Sequence, residues 1–185
     1  MNQSAWIFPG QGSQNVGMGH DIFHKTDIGK KYFEEAQKIM NYDIKSIIFN
    51  GPEDKLRKTE FTQPAIYIVS VALGKLLISR DISPVAVAGH SLGEYSALTI
   101  AGGINFLDGL KLVKLRSESM AKSGEICKGT MAAIIGLDDD KIELICRSYR
   151  GSGFVNPANY NSPKQVVISG SSDAVIWAMR QAKES

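Results

Sequence analysis

Short apolar runs alternate with helical periods along the first two thirds of the chain. Ala5-Trp6-Ile7-Phe8 is an apolar run closed by Pro9-Gly10, which predicts a buried first strand. The loop after it, Gly10 to Gly17, is rich in glycine and amide side chains. Tyr32, Phe33, Ala36, Ile39 and Met40 then recur at helical spacing. Thr62-Gln63-Pro64 reads as a helix start, with Thr62 as N-cap and Pro64 in the first turn, and the apolar period carries on to Ile78. Pro84 to Ala88 predicts a second buried strand feeding into Ser91, with a helix from the serine to Gly102-Gly103.

A further helix is predicted over Leu107 to Lys122. At about 100° per residue, Lys111, Lys114, Glu118 and Lys122 share one polar stripe, and Arg116 projects from the other side among Leu112, Val113 and Met120. A cation on an apolar side needs a partner, because an unpaired buried charge is costly. Either an internal carboxylate or an anionic ligand would serve.

The texture changes after Lys122. Residues 123–128 read as a linker. Strands are then predicted from Met131, over Gly153 to Ala158 and over Gln165 to Ser169, with helices over Asp138 to Arg147 and Ser172 to Lys183. This β-α-β-β-α order is a ferredoxin-like β-α-β-β-α-β unit without its last strand. The expected organisation is therefore a core over 1–122, a linker over 123–128 and an incomplete α+β subdomain over 129–185. An unfilled strand slot leaves an open sheet edge, so the chain is expected to be a fragment or one piece of a divided polypeptide.

Composition narrows the class. The 185 residues are 43% apolar and 22% charged with a net charge of +2, as in a soluble α/β protein. Lys and Arg are scattered among Asp and Glu, which argues against nucleic-acid binding. Cys127 and Cys146 have no metal or disulfide-framework spacing and read as reduced thiols of a cytoplasmic protein. No signal peptide is read at the N-terminus, and no apolar stretch is read as reaching the roughly 20 residues of a membrane span. His20 and His24, spaced i and i+4, are too few for a metal site.

Candidate chemistry centres on Gly89-His90-Ser91-Leu92-Gly93. Gly-x-Ser-x-Gly between a strand and a helix places a reactive serine on a strained turn, with glycines where side chains would collide. The Leu92 N–H, at the start of the following helix, is then aimed at a developing oxyanion. The Gly10-Gln11-Gly12 turn is suited to supply a second donor. The alternative is a glycine-rich turn that packs tightly and does no chemistry. His90, adjacent to the serine on a sharp turn, points elsewhere and is expected to shape the pocket rather than act as base.

Five stretches together resemble malonyl-CoA:acyl carrier protein transacylase: Phe8-Pro9-Gly10-Gln11-Gly12-Ser13-Gln14, Thr62-Gln63-Pro64-Ala65, Gly89-His90-Ser91-Leu92-Gly93-Glu94-Tyr95, Leu115-Arg116-Ser117, and Asn159 to Gly170. The resemblance implies an α/β-hydrolase-like core with an inserted ferredoxin-like subdomain. It also implies ping-pong transfer, through a malonyl-serine ester on Ser91, from malonyl-CoA to the phosphopantetheine thiol of acyl carrier protein in cytoplasmic fatty-acid synthesis. Gln11 and Leu92 would give the oxyanion-hole amides, and Arg116 would hold the malonyl carboxylate. Gln63, His90, Met131, Asn159 and Asn161 would line or support the pocket. No metal or cofactor, no nucleic acid, no membrane and a monomer are expected.

In that family the base is a histidine beyond the ferredoxin-like insertion. No histidine follows His90 in this sequence, so the isolated chain is expected to be nearly inactive. The alternatives are an acyltransferase serving a polyketide synthase in trans, a generic serine esterase (opposed by Arg116), and a non-catalytic fragment.

Overall fold

The computed structural model describes residues 4–126 and 129–185, the Glu125 side chain excepted. Cys127 and Lys128, and with them the predicted thiol at 127, lie outside the described residues. The elements run β1 (Ala5–Phe8), α1 (His20–Lys25), α2 (Asp27–Ile39), α3 (Ile44–Asn50), α4 (Glu53–Leu56), α5 (Thr59–Ile78), β2 (Ala86–Gly89), α6 (Gly93–Ile100) and α7 (Phe106–Ile126). They continue with β3 (Gly129–Ile135), α8 (Asp139–Ser148), β4 (Val155–Ser162), β5 (Gln165–Ser171) and α9 (Ser172–Lys183). The chain divides into two compact units, which adjoin in sequence at Lys122 and Ser123. Residues 123–126, predicted as linker, are the last turn of α7, because nothing in Ser-Gly-Glu-Ile breaks the helix before Ile126.

The first unit is an α/β core. β1 and β2 pair in parallel with Phe8 opposite Gly89, so the residues following both strands leave the sheet at the same end. Open α/β sheets bind ligands at this carboxyl end of their strands. Neither strand is buried on both faces as predicted. Ile7 is 79% exposed and Val85, just before β2, 65%. The helices cover one face of this two-stranded sheet, and the other has no cover among the described residues.

α5 is the central helix of this unit. It is 20 residues long and its most apolar 18 have a mean hydropathy of 1.5, so it reaches the length and composition of a membrane span, contrary to the sequence expectation. Just over half of that stretch (56%) is buried, and its apolar character follows from being enclosed by other helices. It begins at Thr59 rather than at Thr62, which places Pro64 inside the helix. Pro64 has no N–H to give the Glu60 carbonyl one turn earlier. The Tyr42 hydroxyl donates to that carbonyl instead, at 3.0 Å. Thr62, read as the N-cap, uses its hydroxyl to hold the Leu56 carbonyl at the end of α4.

Tyr67, fully buried on α5, joins three helices. Its hydroxyl bonds Thr99 Oγ1 of α6 at 2.8 Å and donates to the Phe106 carbonyl at the start of α7 at 3.1 Å. Gly109 makes the approach possible, since a Cβ there would lie 2.1 Å from that hydroxyl. Burial, only partly offset by the Thr99 bond, pushes the Tyr67 pKa up to about 12. Tyr67 therefore fixes the mutual position of the helices that carry Gln63, follow Ser91 and carry Arg116.

The second unit is a three-stranded antiparallel sheet in the order β3-β5-β4, packed with α8 and α9. β5 lies between β3 and β4 and runs against both, the split β-α-β arrangement of a ferredoxin-like fold. β5 alternates strictly, with Val166 and Ile168 buried against Ile142, Val175 and Ala178. β4 is an edge strand, which tolerates Pro157, and its register shifts at Ala158 and Asn161. The other edge of β3 has no partner strand among the described residues.

Candidate active site

The turn after β2 is set by sterics. Ser91 has φ 53°, in the left-handed region that costs a non-glycine residue about 1–3 kcal/mol. A Cβ on Gly89 would lie 2.0 Å from the Gly93 carbonyl carbon, across the turn. A Cβ on Gly93 would lie 2.1 Å from the Phe8 carbonyl oxygen of β1. The two glycines thus clear different obstacles: one lets the turn close, the other lets it sit on the neighbouring strand. The Leu92 side chain, 1% exposed, anchors the turn in the core.

The helix after this turn begins at Gly93, two residues beyond the serine. Its first turn is tight, with Gly93 N–H donating to the His90 carbonyl and Glu94 N–H to the Ser91 carbonyl. The Leu92 N–H takes part in no such bond among the described residues, as is usual at a helix start. The loop after β1 packs against the turn. His90 N–H donates to the Phe8 carbonyl at 3.0 Å, and a Cβ on Gly10 would meet the His90 carbonyl at 2.7 Å and its Nδ1 at 3.1 Å. Gln11 therefore enters the site beside Ser91, and His90 packs over Gly10 as a neighbour of the serine.

Arg116 arrives from α7. Its Nη2 donates to Ser91 Oγ at 2.9 Å and its Nη1 to Gln63 Oε1 at 2.6 Å. The guanidinium carbon sits 6.0 Å from the centre of the Tyr95 ring. Leu112, Leu115 and Met120 on this helix are exposed, and the buried stripe is Phe106, Leu110, Val113 and Ser117. Arg116 is accordingly half-buried at the margin of the core rather than deep in an apolar face. It makes no salt bridge among the described residues, so its charge is held by neutral oxygens alone.

Behind Arg116 lies a chain of amides. Gln63, 1% exposed, directs its Nε2 to Met120 Sδ at 3.4 Å and Gln11 Oε1 at 3.5 Å, and Gln11 Nε2 donates to Thr59 Oγ1 at 3.2 Å. Thr59 and the sulfur of Met120 in this chain, and Tyr95 beside the guanidinium, were not among the site residues expected from the sequence. Met120 was findable, one helical turn beyond Arg116, and Tyr95 in the first turn of the helix after the serine; Thr59 carried no signal.

The structure thus brings Ser91, Leu92, Gln11, Gln63, His90 and Arg116 together in the first unit. Met131, Asn159 and Asn161 belong to the second. Met131 stands on β3 opposite Ser169 and is 55% exposed, Asn159 pairs with Val167, and Asn161 occupies a register shift of β4, where it is engaged in an interaction. The His20 and His24 rings lie 4.2 Å apart centre to centre, tilted by 46°, beside Phe49. No group of side chains placed to hold a metal ion occurs among the described residues.

A strained serine, the glycine-bearing loop packed against its turn, and an arginine that forms no ion pair among the described residues lie together in the first unit. The chain belongs to the acyl transferase domain family, whose model matches residues 5–185. It is 45% identical to the malonyl CoA-acyl carrier protein transacylase of Escherichia coli K12 over 176 residues, 95% of this chain and 57% of the relative. It is 42% identical to the Staphylococcus aureus transacylase of the same name over 171 residues, 92% and 55% of the two chains. The solved Coxiella burnetii transacylase superposes with a TM-score of 0.91 at 41% identity, covering 100% of this chain and 59% of that one. A malonyl-transacylase in complex with a type II polyketide synthase acyl-carrier protein superposes at 0.88 with 40% identity, covering 99% and 60%. The chain spans a little over half the length of these relatives.

Proposed function

We propose that this chain is the serine-bearing part of a malonyltransferase, slow by itself for want of a histidine base: Ser91 Oγ attacks the thioester carbonyl of malonyl-CoA, the C–S bond breaks, the serine proton goes to the departing sulfur so that CoA leaves as the free thiol, and the phosphopantetheine thiol of an acyl carrier protein then takes the acyl group, returning its proton to Ser91 Oγ. The observation that carries the reading is the Arg116 Nη2 bond to Ser91 Oγ at 2.9 Å. In a malonyl ester on Ser91 the free carboxylate lies two bonds beyond the carbonyl carbon, within reach of a guanidinium already touching the serine. Acetyl has nothing to offer that cation. Leu92 and Gln11 N–H groups, on turns packed against each other, are the proposed donors to the oxyanion. Gln63 supports the arginine, and His90 shapes the pocket floor at Gly10. Met131, Asn159 and Asn161 are proposed as substrate-binding residues on the strength of the family resemblance. No cofactor is assigned a role. The free, buried Cys146 thiol is in keeping with a cytoplasmic enzyme.

The test is intact mass after prolonged incubation with malonyl-CoA. A gain of one malonyl group that is absent in Ser91→Ala is expected; no adduct, or an adduct that survives the substitution, overturns the reading. A second reading, a carrier protein of polyketide synthesis rather than of fatty-acid synthesis, is favoured by the similarity to a transacylase solved with a polyketide carrier protein. Offering holo carrier proteins of both kinds to the malonylated chain and measuring transfer to each decides between them.

A further inference from the structure

Gln63 is the most deeply buried polar group at the site, and its hydrogen bonds have a fixed direction. A guanidinium has only donors, so the carboxamide must turn Oε1 to Arg116 Nη1 and Nε2 away from it. Nε2 then faces two acceptors, Gln11 Oε1 and Met120 Sδ, and Gln11, accepting on its oxygen, donates its own Nε2 to Thr59. All these bonds point away from the cation. Thr59 and Gln63 lie one turn apart on α5, so the chain of amides begins and ends on the same rigid helix.

Two consequences follow for Arg116. With the Ser91 bond alone, the guanidinium could turn about its own stem; the second bond, to a buried and immobile amide, fixes its plane. The amide is also neutral. A carboxylate of the same shape would bond Arg116 equally well and cancel its charge, leaving little attraction for an incoming anion.

We propose that Gln63 is a positioning residue that sets acyl-group specificity: it orients the Arg116 guanidinium while leaving its charge uncompensated, so that the fork stays available to the carboxylate of a dicarboxylic acyl group. This inference rests on the reading that the acyl carboxylate is the ligand of Arg116.

The experiment measures binding of malonyl-CoA and acetyl-CoA by calorimetry to the full chain and to Arg116→Ala, Gln63→Glu and Gln63→Met, with the thermal midpoint of each. The wild-type chain is expected to prefer malonyl-CoA, and Arg116→Ala to lose that preference. Gln63→Glu is expected to reduce the preference about tenfold or more, with acetyl-CoA binding unchanged and a thermal midpoint no lower than wild type. Gln63→Met keeps the shape and removes all three hydrogen bonds of the carboxamide, and is expected to reduce the preference about fivefold, less than a charge-assisted bond at full strength. Equal binding of the two thioesters by wild type, or an undiminished preference in Arg116→Ala, overturns the malonyl reading and this inference with it. Loss in Arg116→Ala with a wild-type preference in either folded Gln63 variant overturns the role of Gln63 alone. A residue that merely packed would lower the thermal midpoint and leave the ratio of the two affinities where it was.

Discussion

Ser91 and Arg116 touch across 2.9 Å, yet different forces hold each in place. The serine is placed by its own turn: a left-handed φ, two glycines without which the turn could neither close nor lie against β1, and one buried leucine beside it. The arginine is placed by side chains from three separate parts of the sequence, through a chain of amides that ends at Thr59. Steric placement is nearly all-or-none, because a backbone collision cannot be relaxed by rotating a side chain. Placement by hydrogen bonds is graded, each link contributing about 0.5–1.5 kcal/mol, or about 1.5–3 where a charge takes part. A strained nucleophile tolerates little positional error. A guanidinium that must exchange a hydroxyl for a carboxylate benefits from being adjustable.

The sharpest way to break this contrast is Gly93→Ala. The new methyl would have to displace the Phe8 carbonyl of β1, and the first unit is expected to lose about 3 kcal/mol, the upper end of overpacking costs. Urea denaturation followed through Trp6, on β1, reads this directly; a loss under about 0.5 kcal/mol would mean the turn is more compliant than its sterics suggest. Arg116→Ala is the matching change on the other side. Little stability is at stake, since Arg116 is half-buried and forms no ion pair among the described residues. The affinity advantage of malonyl-CoA over acetyl-CoA is expected to fall about ten- to a hundredfold, the value of one charge-assisted hydrogen-bonded pair. Arg116→Lys keeps the charge but loses the fork, and is expected to recover only part of it.

The same division explains what could be read from the chain. The serine turn is a local motif: Gly89, Ser91 and Gly93 sit within five residues, and their spacing states the steric problem and its solution. Arg116 was visible as a cation needing a partner, but its partners, Gln63 and Ser91, lie 53 and 25 residues away in sequence. No periodicity encodes a contact at that separation. The start of α5 was misplaced for a related reason. Pro64 sits comfortably inside the helix only because Tyr42, from the segment between α2 and α3, supplies the hydrogen bond that the ring cannot. Local rules put proline in a first turn, and a tertiary contact overrode them. The strands expected to be buried were apolar enough, but which of their faces is covered depends on the elements packed around them.

Tyr67 tests whether the two kinds of placement are mechanically joined. It ties α5 to α6 and α7, so it links the helix of the amide chain to the helix after the serine and to the helix of the arginine. Its hydroxyl pKa is raised from 10.0 to about 12 by burial, so the folded state disfavours the phenolate. The stabilising contribution is complete below about pH 10 and is lost as pH rises toward about 12. Tyr42 is raised as well, chiefly by burial and then by Glu118 and Glu60, and contributes in the same direction. Urea midpoints measured across this alkaline range should therefore fall in wild type. They should fall less steeply in Tyr67→Phe, which gives up about 1 kcal/mol at neutral pH for its lost bonds. A slope identical to wild type would assign the alkaline loss to other groups.

The smallest expected effect lies at the far end of the amide chain. Thr59→Val removes the acceptor of Gln11 Nε2, an exposed bond of 3.2 Å worth about 0.5 kcal/mol by itself. Between Gln11 and Arg116 stands the 3.5 Å contact of Gln63 with Gln11, the weakest link in the series. If placement by hydrogen bonds is graded, link by link, this gap should absorb the loss, and the malonyl-to-acetyl preference should change by about twofold or less. If the aligned amides instead polarise one another as one unit, Thr59→Val should approach the effect of Gln63→Met. Comparing the two variants in one binding assay measures how far the positional control of Arg116 extends, and a large Thr59 effect would show the arginine to be as rigidly fixed as the serine.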